Sequence, residues 1–156
     1  MKKKNPPRKS ASKSLPPEVS FVYLSRCKAC DWKRFETIVR AGLPHCLKEA
    51  AEHNGPLPAL PSIEIVVAGR RRMAAVHREF LQIPGATDVI TFPTGEILVC
   101  PDVAIERAGE FGNNPTVELA LYAIHGFLHL AGLDDLTPSD ACLMARVQER
   151  ILKRSL

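Results

Sequence analysis

Residues 116–135 read Thr116-Val117-Glu118-Leu119-Ala120-Leu121-Tyr122-Ala123-Ile124-His125-Gly126-Phe127-Leu128-His129-Leu130-Ala131-Gly132-Leu133-Asp134-Asp135. Thr116 to Ala131 carries the clearest helical pattern in the chain, and Gly132 supplies a left-handed stop. Glu118, His125 and His129 interrupt the apolar run, and nothing else reaches the roughly 18 apolar residues of a membrane span. His125 and His129 stand at i and i+4. About 400° of rotation puts both imidazoles on one face, a turn apart, where two nitrogens can reach one metal ion at about 2.0–2.1 Å. The Gly132 stop lets the chain fold back, bringing Leu133, Asp134 and Asp135 towards the same ion. Two packed histidines are the plain alternative, but the pair, the stop and the two carboxylates together favour a metal. A zincin peptidase needs Glu directly after its first histidine, and here that residue is Gly126, which argues against a peptidase. Glycine in mid-helix costs about 1 kcal/mol against alanine, so close packing is expected at Gly126.

The rest of the chain surrounds this helix with shorter elements. Glu18 to Leu24 reads as a first strand. Asp31 is a candidate N-cap for a helix through Ala41, closed by Gly42, with a second helical stretch over Pro44 to Glu52. Asn54-Gly55-Pro56 with Pro58 and Pro61 is expected to be a loop. Ile63 to Ala68 reads as a strand and Arg70 to Leu81 as a helix, with a turn at Pro84-Gly85. Asp88 to Phe92 and Glu96 to Cys100 form a hairpin candidate. Pro101 opens a helix to Ala108, Gly109 to Pro115 is expected to be a loop, and Thr137 starts a last helix towards Lys153. No internal repeat is present. Strands and helices do not alternate regularly at the end, so the expected fold class is α/β or α+β. It is one domain, a mixed sheet of about four strands packed by about five helices.

Composition supports this reading: 46% hydrophobic and 24% charged residues exclude general disorder and collagen-like structure. The net charge of +4 is unevenly spread. Residues 1–17 hold Lys2, Lys3, Lys4, Arg8, Lys9 and Lys13 with no acid, which leaves the remainder net −2. With four prolines and three serines, 1–17 is expected to be a disordered basic arm and 18–156 the folded domain. The arm is a solvated extension or a weak, salt-dependent contact for nucleic acid. No secretory h-region follows the basic start, so a cytoplasmic protein without membrane contact is expected.

Five cysteines, an odd number, argue against a secreted disulfide framework. Cys27-Lys28-Ala29-Cys30 lies between a strand and a helix, as thioredoxin-like redox pairs do. Two ordinary thiols are the first reading and redox or metal chemistry the second. His45, His53 and His77 are expected at the surface or at helix ends. Arg70-Arg71-Arg72 reads as a solvated helix start or a phosphate contact, and Asp88 as a turn-fixing residue or one facing substrate.

His125-Gly126-Phe127-Leu128-His129-Leu130-Ala131-Gly132-Leu133-Asp134-Asp135 resembles the H-G-x-L-H-L-x-G-Y-D-H motif of the YbeY family of ribosomal RNA maturation endoribonucleases. Thr87-Asp88-Val89-Ile90-Thr91-Phe92-Pro93, then Gly95-Glu96-Ile97, is similar to that family's T-D-V-L-S-F-P and G-D-I. The closing helix, with Met144 and Glu149 to Leu152, is similar to its M-x-x-x-Q-E-x-I-L. The resemblance covers roughly residues 18–154. It implies a small metal-dependent hydrolase fold and cleavage of single-stranded RNA. It further implies a part in maturing the 3′ end of the small-subunit rRNA and in ribosome quality control. It carries metal ligands onto His125, His129 and position 135, with His125 also catalytic.

Two departures from the pattern matter. Asp135 stands where the family commonly has His. A His₂-carboxylate set with an open position suits one Zn²⁺ per chain, and it also resembles an iron facial triad. Upstream, Leu81 stands where the family segment N-x-x-Y-R supplies an Arg. Arg78, one turn earlier, is the candidate substrate contact in its place, and Asp134 the candidate proton relay. The expected partners are single-stranded rRNA and the small ribosomal subunit or its factors. Two other classes remain: a non-catalytic, metal-stabilised ribosome-biogenesis module, and a thiol redox protein built on Cys27 and Cys30.

Overall fold

The computed structural model describes residues 15–156; the arm expected over 1–17 lies outside the described residues except for its last three, of which Pro17 is buried. The elements run β1 (Glu18–Tyr23), α1 (Trp32–His53), a 3₁₀ turn (Leu57–Ala59), β2 (Ser62–Val67), α2 (Arg70–Leu81), β3 (Val89–Thr91), β4 (Glu96–Val99), α3 (Pro101–Phe111), α4 (Pro115–Leu130) and α5 (Pro138–Ser155). The sheet is ordered β1-β2-β4-β3. β1, β2 and β4 are parallel, and β3 returns antiparallel on the edge beside β4. This is the mixed four-stranded α+β architecture expected from the sequence.

Both faces of the sheet are covered, which is why β2 reads as an almost unbroken apolar run. Ile63, Ile65, Val67, Ile97 and Val99 point into the main core with α1, α4 and α5. Val66, Leu98 and Ile90 point the other way, against Met73 of α2 and Val103 of α3. Helix α4 runs through the middle and packs on α1, α3, α5, β3 and β4. Its Leu119, Ile124, Phe127 and Leu128 are fully buried. Truncating any of these to alanine would cost about 2–5 kcal/mol.

Helix ends follow local chemistry. Asn114 caps α4 by accepting from Thr116 N, and Thr137 caps α5 by accepting from Asp140 N at 3.1 Å. At the C-terminus of α4 the Gly132 N–H donates to the His129 carbonyl and the Leu133 N–H to the Leu128 carbonyl, each at 3.0 Å. That pair of bonds is a Schellman motif, with Gly132 at φ 103°. The expected stop is therefore where the sequence put it.

Two expectations are corrected. Gly42 does not end a helix: α1 is continuous over Trp32–His53 with Pro44 inside it. The proline removes one hydrogen bond, but the buried stripe of Phe35, Ile38, Val39, Leu43, Cys46 and Ala50 runs past it unbroken. Gly42 serves packing instead, since a Cβ there would sit 3.0 Å from Ile124 Cγ1 of α4. Gly109 likewise lies inside α3, which runs on to Phe111 before Gly112 ends it at φ 68°. Gly126 is as tightly packed as expected, because a Cβ there would lie 2.7 Å from Ile97 Cγ2 of β4.

Candidate metal centre

Three donors converge at the C-terminal end of α4. His125 Nε2 lies 2.9 Å from His129 Nε2, and Asp135 Oδ2 lies 3.5 Å from the first and 4.0 Å from the second. The helix supplies the histidines, and the Schellman turn swings Asp135 back over them. Each ring is held from behind. His125 Nδ1–H donates to Gln148 Oε1 of α5 at 2.7 Å, and His129 Nδ1–H to the Leu133 carbonyl at 3.1 Å. With both protons on Nδ1, both Nε2 atoms present lone pairs to the same point. Two lone pairs at that distance repel unless a cation lies against both. In a tetrahedral zinc site the donors would stand about 3.3 Å apart, so this set fits a divalent ion with little adjustment.

Electrostatics agree. Burial pushes the His129 imidazole below its ordinary pKa, and the neighbouring His125 adds to the push, with Asp135 opposing both. His129 therefore stays neutral, the form that binds a metal. A second group of possible donors, Glu49, Glu52 and His53 on α1, differs in kind. Its Glu49 is already neutralised by Arg150 of α5 at 2.5 Å.

The donors open onto a cleft of about 860 Å³, walled by β3 and the residues around it (Asp88 to Pro93) and by the C-terminal half of α2. Asp88 fixes the entry to β3 by accepting from Val89 N at 2.8 Å, and its other oxygen faces Arg107 at 3.6 Å. Leu81 lines this cleft together with His77 and Phe80. Arg78 does not: it lines a separate groove with Arg71, Ala74, Ala75, Pro84 and Gly85. Asp134 is exposed and accepts from Leu136 N at 3.2 Å; it is not among the converging donors.

His77 corrects the sequence reading, being buried rather than at the surface, with Nδ1 against the Gly85 carbonyl at 2.8 Å. Gln148 carries no role in the sequence reading, although it falls on the Q of the family's closing motif and lies in step with the apolar stripe of Met144, Val147 and Ile151 on α5. Cys27 and Cys30 do sit between β1 and α1, and both are free thiols. Cys30 is packed in the main core with Cys27 against it, and burial together with the Cys27 thiol pushes Cys30 up to about 12. Among the described residues no helix is long and apolar enough to cross a membrane.

The central helix of this α+β domain thus ends in a His-His-Asp cluster that could hold a metal ion. The family model described as "Endoribonuclease YbeY" matches residues 25–155. The chain belongs to the YbeY family. An endoribonuclease YbeY of Elusimicrobium minutum is 32% identical over 131 residues, covering 76% of this chain and 87% of that protein. Another, of Renibacterium salmoninarum, is 35% identical over 107 residues, covering 58% and 68%. The solution structure of TM1509 from Thermotoga maritima is similar with a TM-score of 0.61 and 26% identity, over 87% of this chain and 89% of that one.

Proposed function

We propose that this chain is a metal-dependent endoribonuclease that cuts single-stranded RNA. It acts in the cytoplasm on the 3′ end of small-subunit rRNA and in ribosome quality control. The observation that carries the reading is the convergence of His125, His129 and Asp135 on one point at the mouth of the cleft, within residues matched by the family. These three side chains would hold one Zn²⁺ per chain, and the same set admits another divalent metal. When bound, such an ion acidifies a water molecule and polarises a phosphoryl oxygen.

The chain's own groups do the rest. Gln148 and the Leu133 carbonyl keep both imidazoles turned with Nε2 inward. Asp134, exposed to solvent, passes the proton outward. Arg78 and Arg71 hold phosphates of the strand outside the cleft, on the other face of α2. The rival reading, a metal-stabilised ribosome-biogenesis module without cleavage, is favoured by one observation. Leu81 lines the cleft where the family pattern has Arg.

The test combines elemental analysis with cleavage of single-stranded and rRNA substrates, with and without chelator. Chelator-sensitive cutting by the wild type, lost together with the metal in His129→Ala, is the expected result. A fully metallated wild type that cuts no RNA would move the conclusion to the biogenesis module.

A further inference from the structure

The cleft beside the donors has an unusual lining for a nucleic-acid site. Among the described residues, no lysine or arginine lines it, and its formal charges are the carboxylates of Asp88 and Asp135. Phosphate neutralisation, the usual source of affinity for RNA, is therefore not available from side chains inside it. Its α2 wall is instead apolar and open: Phe80 is 59% exposed and Leu81 51%, and both line the cleft. Phe80 meets Phe92 of the facing wall edge to face, ring centroids 5.3 Å apart, so Phe80 is fixed on one side and free on the other. Guanidinium groups are present on the same helix but point elsewhere, Arg71 and Arg78 lining the groove on its other face.

We infer that the Phe80–Phe92 pair is a stacking platform for one unpaired nucleobase adjacent to the phosphate that is cut. This rests on the ribonuclease reading and names what that site recognises. An aromatic face accepts any base, because every base has a π-face, but it requires the base to be out of a helix. Preference for single strands then follows from the platform and not from the metal. Division of labour on α2 follows too: stacking on its cleft face is insensitive to salt, and phosphate contact on its arginine face is sensitive to it.

The test is fluorescence anisotropy on the full, metal-loaded chain over a salt series. One probe is a labelled, hydrolysis-resistant single-stranded uridine oligomer, and the other an abasic ribose-phosphate oligomer of equal length. Phe80→Ala is expected to weaken binding of the uridine oligomer about tenfold, in line with the loss of one stacked base, with an unchanged salt slope. Phe80→Trp is expected to keep or tighten it. The abasic oligomer should bind wild type and Phe80→Ala alike. Arg71→Ala with Arg78→Ala should instead flatten the salt slope.

Wild type that binds and cuts RNA, with Phe80→Ala binding the uridine oligomer equally well, would overturn the platform and leave the ribonuclease reading standing; the apolar wall would then belong to a protein partner. Wild type that neither binds nor cuts single-stranded RNA would overturn both.

Discussion

The main-chain N–H of Gly55 donates to the carbonyl of Ala131 at 3.1 Å, tying the loop after α1 to the last turn of α4. The contact is backbone on backbone. A Cβ on Gly55 would lie 2.0 Å from the Ala131 carbonyl carbon, and one on Gly132 would lie 2.4 Å from the His53 carbonyl oxygen. Those two glycines let the chain behind the histidines be clamped, which fixes where Leu133 and Asp135 emerge.

Gly55→Ala should therefore cost about 2–3 kcal/mol, the upper part of the range for overpacking. A fall in melting temperature on the order of 5–10 °C is expected. Gly109→Ala is the contrast, since nothing lies within 4 Å of a Cβ there and α3 is helical. It should stabilise by about 0.5–1 kcal/mol. Equal melting temperatures for the two variants would contradict the packing argument.

Gln148 is expected to govern metal affinity without touching the ion. Gln148→Leu frees His125 to rotate and should weaken zinc binding about 10–100-fold in a competition titration with a chromogenic chelator. Gln148→Glu keeps an acceptor at Nδ1 and should recover most of it. Affinity unchanged in Gln148→Leu would show that α4 alone orients the ring.

Leu81→Arg should raise cleavage. The reacting phosphoryl group gathers charge, and among the described residues no cationic side chain lines the cleft. Supplying a fixed positive charge near such a transition state is commonly worth about 10²–10³ in rate. Single-turnover kinetics at saturating protein would measure the step directly, and a rate no higher than wild type would show that the missing guanidinium is not limiting.

Thiol labelling should follow burial. Cys142 is exposed and Cys27 half-buried, whereas Cys30, Cys46 and Cys100 are buried. Burial pushes all three of the latter up in pKa, and Cys30 to about 12, leaving little of the reactive thiolate. Iodoacetamide followed by mass spectrometry should modify Cys142 first and Cys27 next, with the others protected until denaturant is added. Early modification of Cys30 would revive a redox role for the pair.

Much of the site was legible because its donors share one helix and its stop. The i, i+4 spacing, Gly132 and Asp135 are local, and helical geometry converts local spacing directly into juxtaposition. The sheet was legible for a similar reason, since β2 carries a strong strand signal and Pro93-Thr94-Gly95 marks the turn of the hairpin. What was not legible depended on distant partners. Gly42 reads as a stop until Ile124 is seen against it, and Gln148 is one letter of a motif until His125 is. On α2, Met73, Val76, Phe80 and Leu81 fall within about 140° of one another and Arg78 about 60° beyond Leu81. Arg78 thus stands beside the apolar arc, and packing decides which way it turns.

Those three donors also lie in one uninterrupted run of chain, whereas the sheet closes by parallel pairing of segments separated by whole helices. Closing a short loop costs less chain entropy than closing a long one, and parallel pairings are slow to form. The last turn of α4 and its reversal can thus adopt their native shape before β1 finds β2. The local bonds of the helix end would then come first, and the site would be completed only as α5 brings Gln148 and the loop after α1 brings Gly55.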